Sequence, residues 1–396
     1  MRKRRVADTL FILLSCVLIL VVLLRTTISE KESISHYENR YLAVFPEFTR
    51  ETLLDGDFFP GLDAYLSDHS AFREPLSRLD VFADIHIIRR PVVNDIVVLD
   101  DLLLAYFPPE PTFDQRELDR QAGEITDDLY ALNQLITEYG GQFLYVAVPD
   151  QTAFFWAEFP PYLNSRQGYI PQLEAFTRAM ERRGLELLDM GELFYSQGNP
   201  CDFFSGVDHH FSFNGAFATY QAIVQRLNGQ TYREIPILTE EDFIFITLPN
   251  PYVGSRGRML WGVSPFTEHL TIAEPVAPVP FYRWDNEELR PGTVYQMPQG
   301  PEEDIYFSLY MGGDHAHTHI DTGRAHLPSI LIFGDSFTNA VESLIYLNFN
   351  TMTSLDLRHF TEMSLAEFIR IHQPDFVVCI RDYGWLLERE GNGTLF

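Results

Sequence analysis

The chain has 396 residues, 46% of them hydrophobic and 14% aromatic, enough for one large α/β domain or two smaller ones. That composition excludes a disordered chain. A formal net charge of −27 excludes nucleic acid as a partner and disfavours polyanionic substrates unless arginines concentrate locally.

Arg2-Lys3-Arg4-Arg5 precedes the run Thr9 to Leu24, apolar apart from Thr9, Ser15 and Cys16. As a helix this run rises about 24 Å, slightly short of a bilayer core of about 30 Å, and flanking residues make up the difference. The basic cluster stays cytoplasmic, which places the rest of the chain outside the membrane. Leu24-Arg25-Thr26-Thr27 offers no small-x-small cleavage site, and the apolar run continues past Cys16, against a lipoprotein box. Residues 1–25 are therefore expected to be a basic tail and an uncleaved transmembrane signal anchor. Beyond it remain 24 basic and 55 acidic side chains, a net of −31. Cys201 and Cys379 are the only cysteines there, too few for a disulfide framework, and free thiols are expected.

Residues 26–110 read as an N-terminal extracytoplasmic region of short amphipathic segments, ending at Pro108-Pro109-Glu110-Pro111. Within it, Val92 to Leu104 is interrupted by Asn94-Asp95 and Asp100-Asp101 and reads as two short strands. From 111 the rhythm becomes α/β. Leu118, Ile125, Leu129, Leu132 and Ile136 keep helical spacing up to Gly140-Gly141, and Phe143 to Val148 is a continuous apolar run of the kind found in buried parallel strands. A helix over about 171–183, a strand over 185–188 and a helix capped by Ser212 or Asn214 follow. Residues of about 230–325 are rich in proline and aromatics and read as an irregular insertion. The rhythm resumes with strands over 329–333, 352–355 and 376–380 and with helices from about 337 and over 364–372. Helices alternating with buried strands predict a mostly parallel sheet covered on both faces, a three-layer αβα domain over 111–396.

Two motifs carry chemistry. Gly334-Asp335-Ser336 follows a strand and opens a helix, so Ser336 is expected at the carboxyl edge of the sheet, with helix N–H groups near a developing oxyanion and Gly334 permitting the tight turn. Asp208-x-His210 sets a carboxylate and an imidazole on one side of an extended segment, with His209 pointing away. Together they supply a nucleophile, a base and an orienting acid. Each motif taken singly is also a polar helix cap. Asn339, Arg381, Tyr383 and Gly254-Ser255-Arg256 are candidates to bind substrate or complete an oxyanion hole, as Asp335 and Gly334 are to support the nucleophile. Asp-His-His also occurs in metal-dependent phosphoesterases, but their further aspartate motifs are not evident. His315, His317 and His319 alternate; on a strand they would share one face and offer ligands to zinc or copper, and the plainer reading is an exposed loop without metal.

Several stretches resemble the DHHW protein family and, more distantly, the SGNH-like alginate O-acetylation proteins. They are Glu38-Asn39-Arg40-Tyr41-Leu42, Asp55-Gly56-Asp57-Phe58-Phe59, Asp68 to Arg73, Asp208 to Ser212 with Asn214-Gly215-Ala216, and Gly334 to Asn339. Phe211 stands where the family's naming tryptophan is expected. The resemblance implies an SGNH-like fold with permuted motif order, in which Ser336 is the nucleophile, His210 the base and Asp208 its orienter. It implies O-acetyl transfer or ester hydrolysis on a cell-envelope polysaccharide, without cofactor or metal. Because acetyl-CoA is cytoplasmic, transfer would need a membrane partner to supply the acetyl group. A non-catalytic glycan-binding or scaffold protein, with 230–325 as its binding surface, is the alternative.

Overall fold

The computed structural model describes residues 2–28, 31–38, 40–106, 114–149, 151–163, 170–229, 235–389 and 395–396. The expected proline break at 108–111 and Asn39 lie outside them. The chain forms two compact units, one of Met1–Leu99 with Gly257–Pro265, the other of Asp100–Arg256 with Phe266–Phe396.

The first unit begins with the helix Arg2–Ile28, whose window Thr9–Thr26 has a mean hydropathy of 2.6 and is long and apolar enough to cross a membrane. Short helices follow at Arg50–Leu54, Phe58–Asp68 and Arg73–Phe82, the last running into a π-helical turn over Ala83–Ile88. Asp68 ties this unit together. It accepts from Arg40 Nη1 and the Ala43 N–H, both at 2.8 Å, and His69 Nε2 meets the Ala43 carbonyl at 2.9 Å. The guanidinium of Arg40 holds the Asp68 carboxyl well below the usual carboxylate range. Val92–Val93 pairs antiparallel with Ile96–Val98 across Asn94 and Asp95, at φ 48° and 60°. Both central residues of a type I′ hairpin turn need that conformation, and Asn and Asp tolerate it better than most.

The second unit is built on eight strands: β1 (Gln142–Val148), β2 (Leu187–Asp189), β3 (Tyr282–Asp285), β4 (Glu288–Arg290), β5 (His317–Asp321), β6 (Ser329–Gly334), β7 (Thr351–Leu355) and β8 (Phe376–Asp382). Their order is β4-β3-β5-β7-β6-β8-β1-β2. The five strands from β7 to β2 are parallel neighbours, and β5, β3 and β4 extend the sheet by antiparallel pairing. Three of the eight strands thus come from residues 230–325, so this stretch extends the sheet rather than only looping over it.

The parallel strands read as continuous apolar runs because both their faces are buried. Phe143, Tyr145 and Ala147 of β1 face a core shared with helix α1 (Gln115–Glu138), α2 (Ile170–Arg183) and, later in the chain, a helix over Leu365–His372. Leu144, Val146 and Val148, on the other side of the pleat, are buried as well. That face carries α3 (Phe213–Asn228) and α4 (Phe337–Ile345); α4 packs on β6 and β8, and α3 on α4. Cys379 sits buried in β8 while Cys201 is exposed, and both are free thiols.

The chain leaves β6 for β7 on one side and returns to β8 on the other. The carboxyl end of β6 is therefore the topological switch point of the parallel part, where α/β sheets open a crevice. Gly334 is needed there for closeness rather than for a left-handed turn: a Cβ would lie 2.0 Å from the Ile380 carbonyl oxygen. Gly334→Ala is accordingly expected to cost about 3 kcal/mol or more, as forced backbone displacement in a packed core does. Denaturant unfolding checks this, and a loss under about 1 kcal/mol would contradict the close approach.

Candidate active site

The tripeptide ending β6 divides its tasks. Asp335 Oδ1 accepts from the Phe337 N–H at 3.0 Å, and its Oδ2 from the Asp382 N–H at 3.2 Å, so the aspartate caps α4 and ties it to β8. Ser336, at the N-cap position with φ −60°, makes no side-chain capping bond. Its hydroxyl instead meets His210 Nε2 at 2.6 Å. Among the described residues, no hydrogen bond engages the Ser336 N–H.

His210 and Asp208 lie in the turn that leads into α3, whose cap is Ser212 Oγ. His210 Nδ1 is 2.9 Å from Asp208 Oδ1. A carboxylate only accepts, so Nδ1 carries the proton and Nε2 is left to receive one from Ser336. The three side chains of the two sequence motifs thus form one hydrogen-bonded line. His210 is sandwiched by aromatic rings, stacked on Phe307 at 3.7 Å and 2° and set 5.0 Å from Phe337.

His209 departs from its expected place. It does not point away; its ring lies 3.8 Å from that of His210, and its Nδ1 meets Ser255 Oγ at 2.7 Å and Asp208 Oδ1 at 3.0 Å. The expectation assumed an extended segment, whereas residues 206–210 bend around the Asp208 carboxylate. The bend lets Oδ1 accept from the N–H groups of both His209 (2.6 Å) and His210 (3.2 Å).

The region 230–325 completes the shell. Tyr252 OH donates to Asp208 Oδ2 at 2.6 Å, the Ser255 N–H to the same atom at 3.0 Å, and Ser255 Oγ to Oδ1 at 3.1 Å. Gly254 makes this approach feasible, since a Cβ there would lie 2.6 Å from that of Asp208. Glu268 Oε2 receives Ser205 Oγ, the Gly206 N–H and the Val207 N–H at 3.0, 2.8 and 3.1 Å, fixing the residues just before Asp208. Of these, only Gly254-Ser255-Arg256 stood out in the sequence; Tyr252, Glu268 and Phe307 carried no signal in an irregular stretch.

Burial sets the protonation states. It pushes the Asp208 carboxyl up, yet the adjacent imidazoles of His210 and His209 outweigh it and hold the group well below the carboxylate range. Burial, then the neighbouring His209, lowers His210 below its ordinary 6.5 against the pull of Asp208. The pair is therefore ionised acid and neutral base. Burial raises Glu268 to about 7 despite its three donors.

The other candidate residues have structural partners. Asn339 Nδ2 donates to Asp314 at 2.8 Å, and Tyr383 OH bonds to Asp189. Arg381 is 1% exposed in β8, where its charge bears on Cys379 and Tyr145. The alternate histidines do not converge. His315 Nε2 meets the Met311 carbonyl at 3.1 Å, His317 lies by Phe360 and Phe368, and His319 Nδ1 meets Thr353 Oγ1 at 2.9 Å. Among the described residues, Asp208, His209 and His210 alone form a group with ligand-type atoms within 4.8 Å of one another.

A hydroxyl, a neutral imidazole and a buried carboxylate thus meet at the switch point of a largely parallel sheet in an α/β domain. Residues 107–272 match the family model of the SGNH hydrolase-like domain, acetyltransferase AlgX; Asp208 and His210 lie inside the match and Ser336 beyond it. The chain carries an SGNH hydrolase-like domain. Its fold is similar to that of Bacillus cereus PatB1, solved with a sulfonyl adduct (TM-score 0.62, 18% identity, 76% of this chain and 99% of that one). It is likewise similar to a DHHW family protein from Eubacterium siraeum (TM-score 0.57, 13% identity, 77% and 97%). The O-acetyltransferase domain of Pseudomonas putida AlgJ aligns with a TM-score of 0.45 at 14% identity over 74% and 92%. No curated protein sequence matches the chain.

Two outcomes follow from the ionisation states. Sulfonylation of Ser336 by a sulfonyl fluoride needs neutral His210, so its rate should rise with pH, reach half its plateau below pH 6.5 and stay flat through neutrality; a midpoint above 6.5 would contradict the desolvated imidazole. Glu268, raised from 4.5 to about 7, favours its protonated form in the fold, so its contribution is full below pH 4.5 and fades as pH rises through 7. Unfolding measured over this range should show a loss of about 3 kcal/mol that Glu268→Gln removes.

Proposed function

We propose that the protein is a membrane-anchored, extracytoplasmic enzyme that moves O-acetyl groups on a cell-envelope glycan, with Ser336 as nucleophile, His210 as base and Asp208 as its orienter. The observation that carries this reading is the continuous line Ser336 Oγ–His210 Nε2 at 2.6 Å and His210 Nδ1–Asp208 Oδ1 at 2.9 Å. The match to an acetyltransferase domain model supports the acyl chemistry. The helix over Thr9–Thr26 and its basic flank support the anchor.

Ser336 Oγ attacks the acetyl carbonyl as its proton passes to His210 Nε2, and the Ser336 N–H at the start of α4 faces the developing oxyanion. The tetrahedral intermediate collapses, the carbon–oxygen bond to the donor breaks, and His210 returns the proton to the departing oxygen. That leaves acetyl-Ser336. A glycan hydroxyl then attacks the ester carbon, gives its proton to His210 and takes the acetyl group, and the proton returns to Ser336. Asp208 stays ionised throughout and offsets the imidazolium charge in both halves. The acetyl group must reach the site from a carrier on the same side of the membrane, which makes a membrane acetyl-transfer protein the natural partner.

In a p-nitrophenyl acetate assay of the full-length protein, Ser336→Ala and His210→Ala should each lower turnover by a factor of about 10³ or more. Tyr252→Phe, which removes one charge-assisted bond to Asp208, should lower kcat about ten-fold with KM nearly unchanged. Turnover that persists in Ser336→Ala would refute the assignment. An inert wild-type protein that also resists sulfonylation would favour a binding role.

A further inference from the structure

The unit of residues 1–99 and 257–265 contains a cavity of about 450 Å³, within the range of small-ligand sites. Its walls come from Asp68 to Arg73, from the segment around Tyr37 and from Trp261. Catalysis at Ser336 makes no use of any of them. Two aromatic rings form one side: Tyr37 and Trp261 lie 5.6 Å apart at 37°, with the Arg73 guanidinium 5.2 Å over Trp261. Gly262 lets the rings approach, since a Cβ there would stand 3.1 Å from the Tyr37 ring.

The backbone around this cavity is strained. Among the described residues, Phe72 (φ 68°) and Trp261 (φ 54°) are the two aromatic residues in the left-handed region, and both line it. A bulky side chain holds that conformation only where its surroundings over-determine it.

The polar lining indicates what would bind. It sets three carboxylates, Glu32, Asp68 and Glu74, against Lys31 and Arg73, and Arg73 is paired with Glu38 at 2.7 Å. Glu32 has no partner among the described residues, and Glu74 has only Arg78 at 3.8 Å. Acceptors beside aromatic faces suit a hydroxyl-rich ring with apolar C–H faces, and the excess of carboxylates disfavours a phosphate or a uronate. The Ala71 N–H donates to Thr26 Oγ1 at 2.9 Å, which joins this wall to the end of the apolar helix.

We propose that this cavity is a glycan-binding subsite for uncharged pyranose units, with Trp261 and Tyr37 as the stacking platform and Glu32 and Glu74 as hydroxyl acceptors. It gives the chain a hold on its glycan that does not depend on acyl chemistry. It also narrows the glycan to one without uronic acids.

Full-length protein carrying Ser336→Ala, in detergent micelles, would be titrated calorimetrically with chitotetraose, mannotetraose and tetramannuronate. Saturable binding of at least one neutral tetrasaccharide is expected, with tetramannuronate inert. Trp261→Ala should weaken binding about ten-fold or more. Glu32→Gln, at a side chain with no protein partner, should weaken it about three-fold without lowering the melting temperature. The proposal is overturned if neither neutral sugar binds, if tetramannuronate binds best, or if both variants keep wild-type affinity. Because Ser336 is already replaced, these outcomes are separate from the fate of the catalytic reading.

Discussion

The Asp208 carboxylate, 2% exposed and yet ionised, is the constraint on which the second unit turns. A lone buried carboxylate would take up a proton, because burial penalises its charged form. Here Oδ1 faces two backbone N–H groups, the His210 ring and the Ser255 hydroxyl, while Oδ2 faces the Tyr252 hydroxyl and the Ser255 N–H. These donors come from chain segments more than 40 residues apart. The carboxylate is stable only when both segments are in place, so the site and the placement of the segment with Tyr252 and Ser255 depend on each other.

A comparable economy governs the end of β6. Gly334 allows contact with the Ile380 carbonyl, Asp335 satisfies the first turn of α4, and Ser336 is thereby relieved of capping. A serine at an N-cap position normally spends its oxygen on the helix's own N–H groups. The aspartate one position earlier takes that role, and the serine hydroxyl turns to His210.

Much of this was legible in the sequence, and what was not has physical reasons. The parallel strands announce themselves because burial on both faces demands uninterrupted apolar runs, as in Phe143 to Val148. Strands β3, β4 and β5 do not. They carry charged or polar residues such as Arg283, Asp285 and Thr318, and Arg283 is accommodated by a buried pair with Asp285 at 2.9 Å. Alternation broken by internally paired charges resembles loop. Ser336, His210 and Asp208 stood out in the sequence because their residue types and positions at element ends are restrictive. Asn339, Arg381 and Tyr383 share the edge and the polarity of a site, but Asn339 and Tyr383 bond to Asp314 and Asp189, 25 and 194 residues away, while Arg381 is buried within its own strand near Cys379. Residue type alone cannot separate a substrate-binding group from one that holds neighbouring elements together. His209 failed for a different reason: pleat alternation was applied to a bend.

The electrostatics of the site also bear on how the proposed reaction would run. At rest the Asp208–His210 pair is one buried negative charge beside a neutral ring stacked on Phe307. When His210 takes the Ser336 proton, the pair becomes internally compensated, and the new negative charge moves to the substrate oxygen. Charge therefore leaves the apolar pocket as the barrier is climbed and appears at the N-terminus of α4, where backbone N–H groups point. Desolvation by Phe307 and Phe337 costs the imidazole basicity, which by itself slows proton transfer. The same desolvation strengthens the attraction between imidazolium and carboxylate, because the local dielectric is low. With Asp208 held ionised by six donors, the second effect is available without any group having to move.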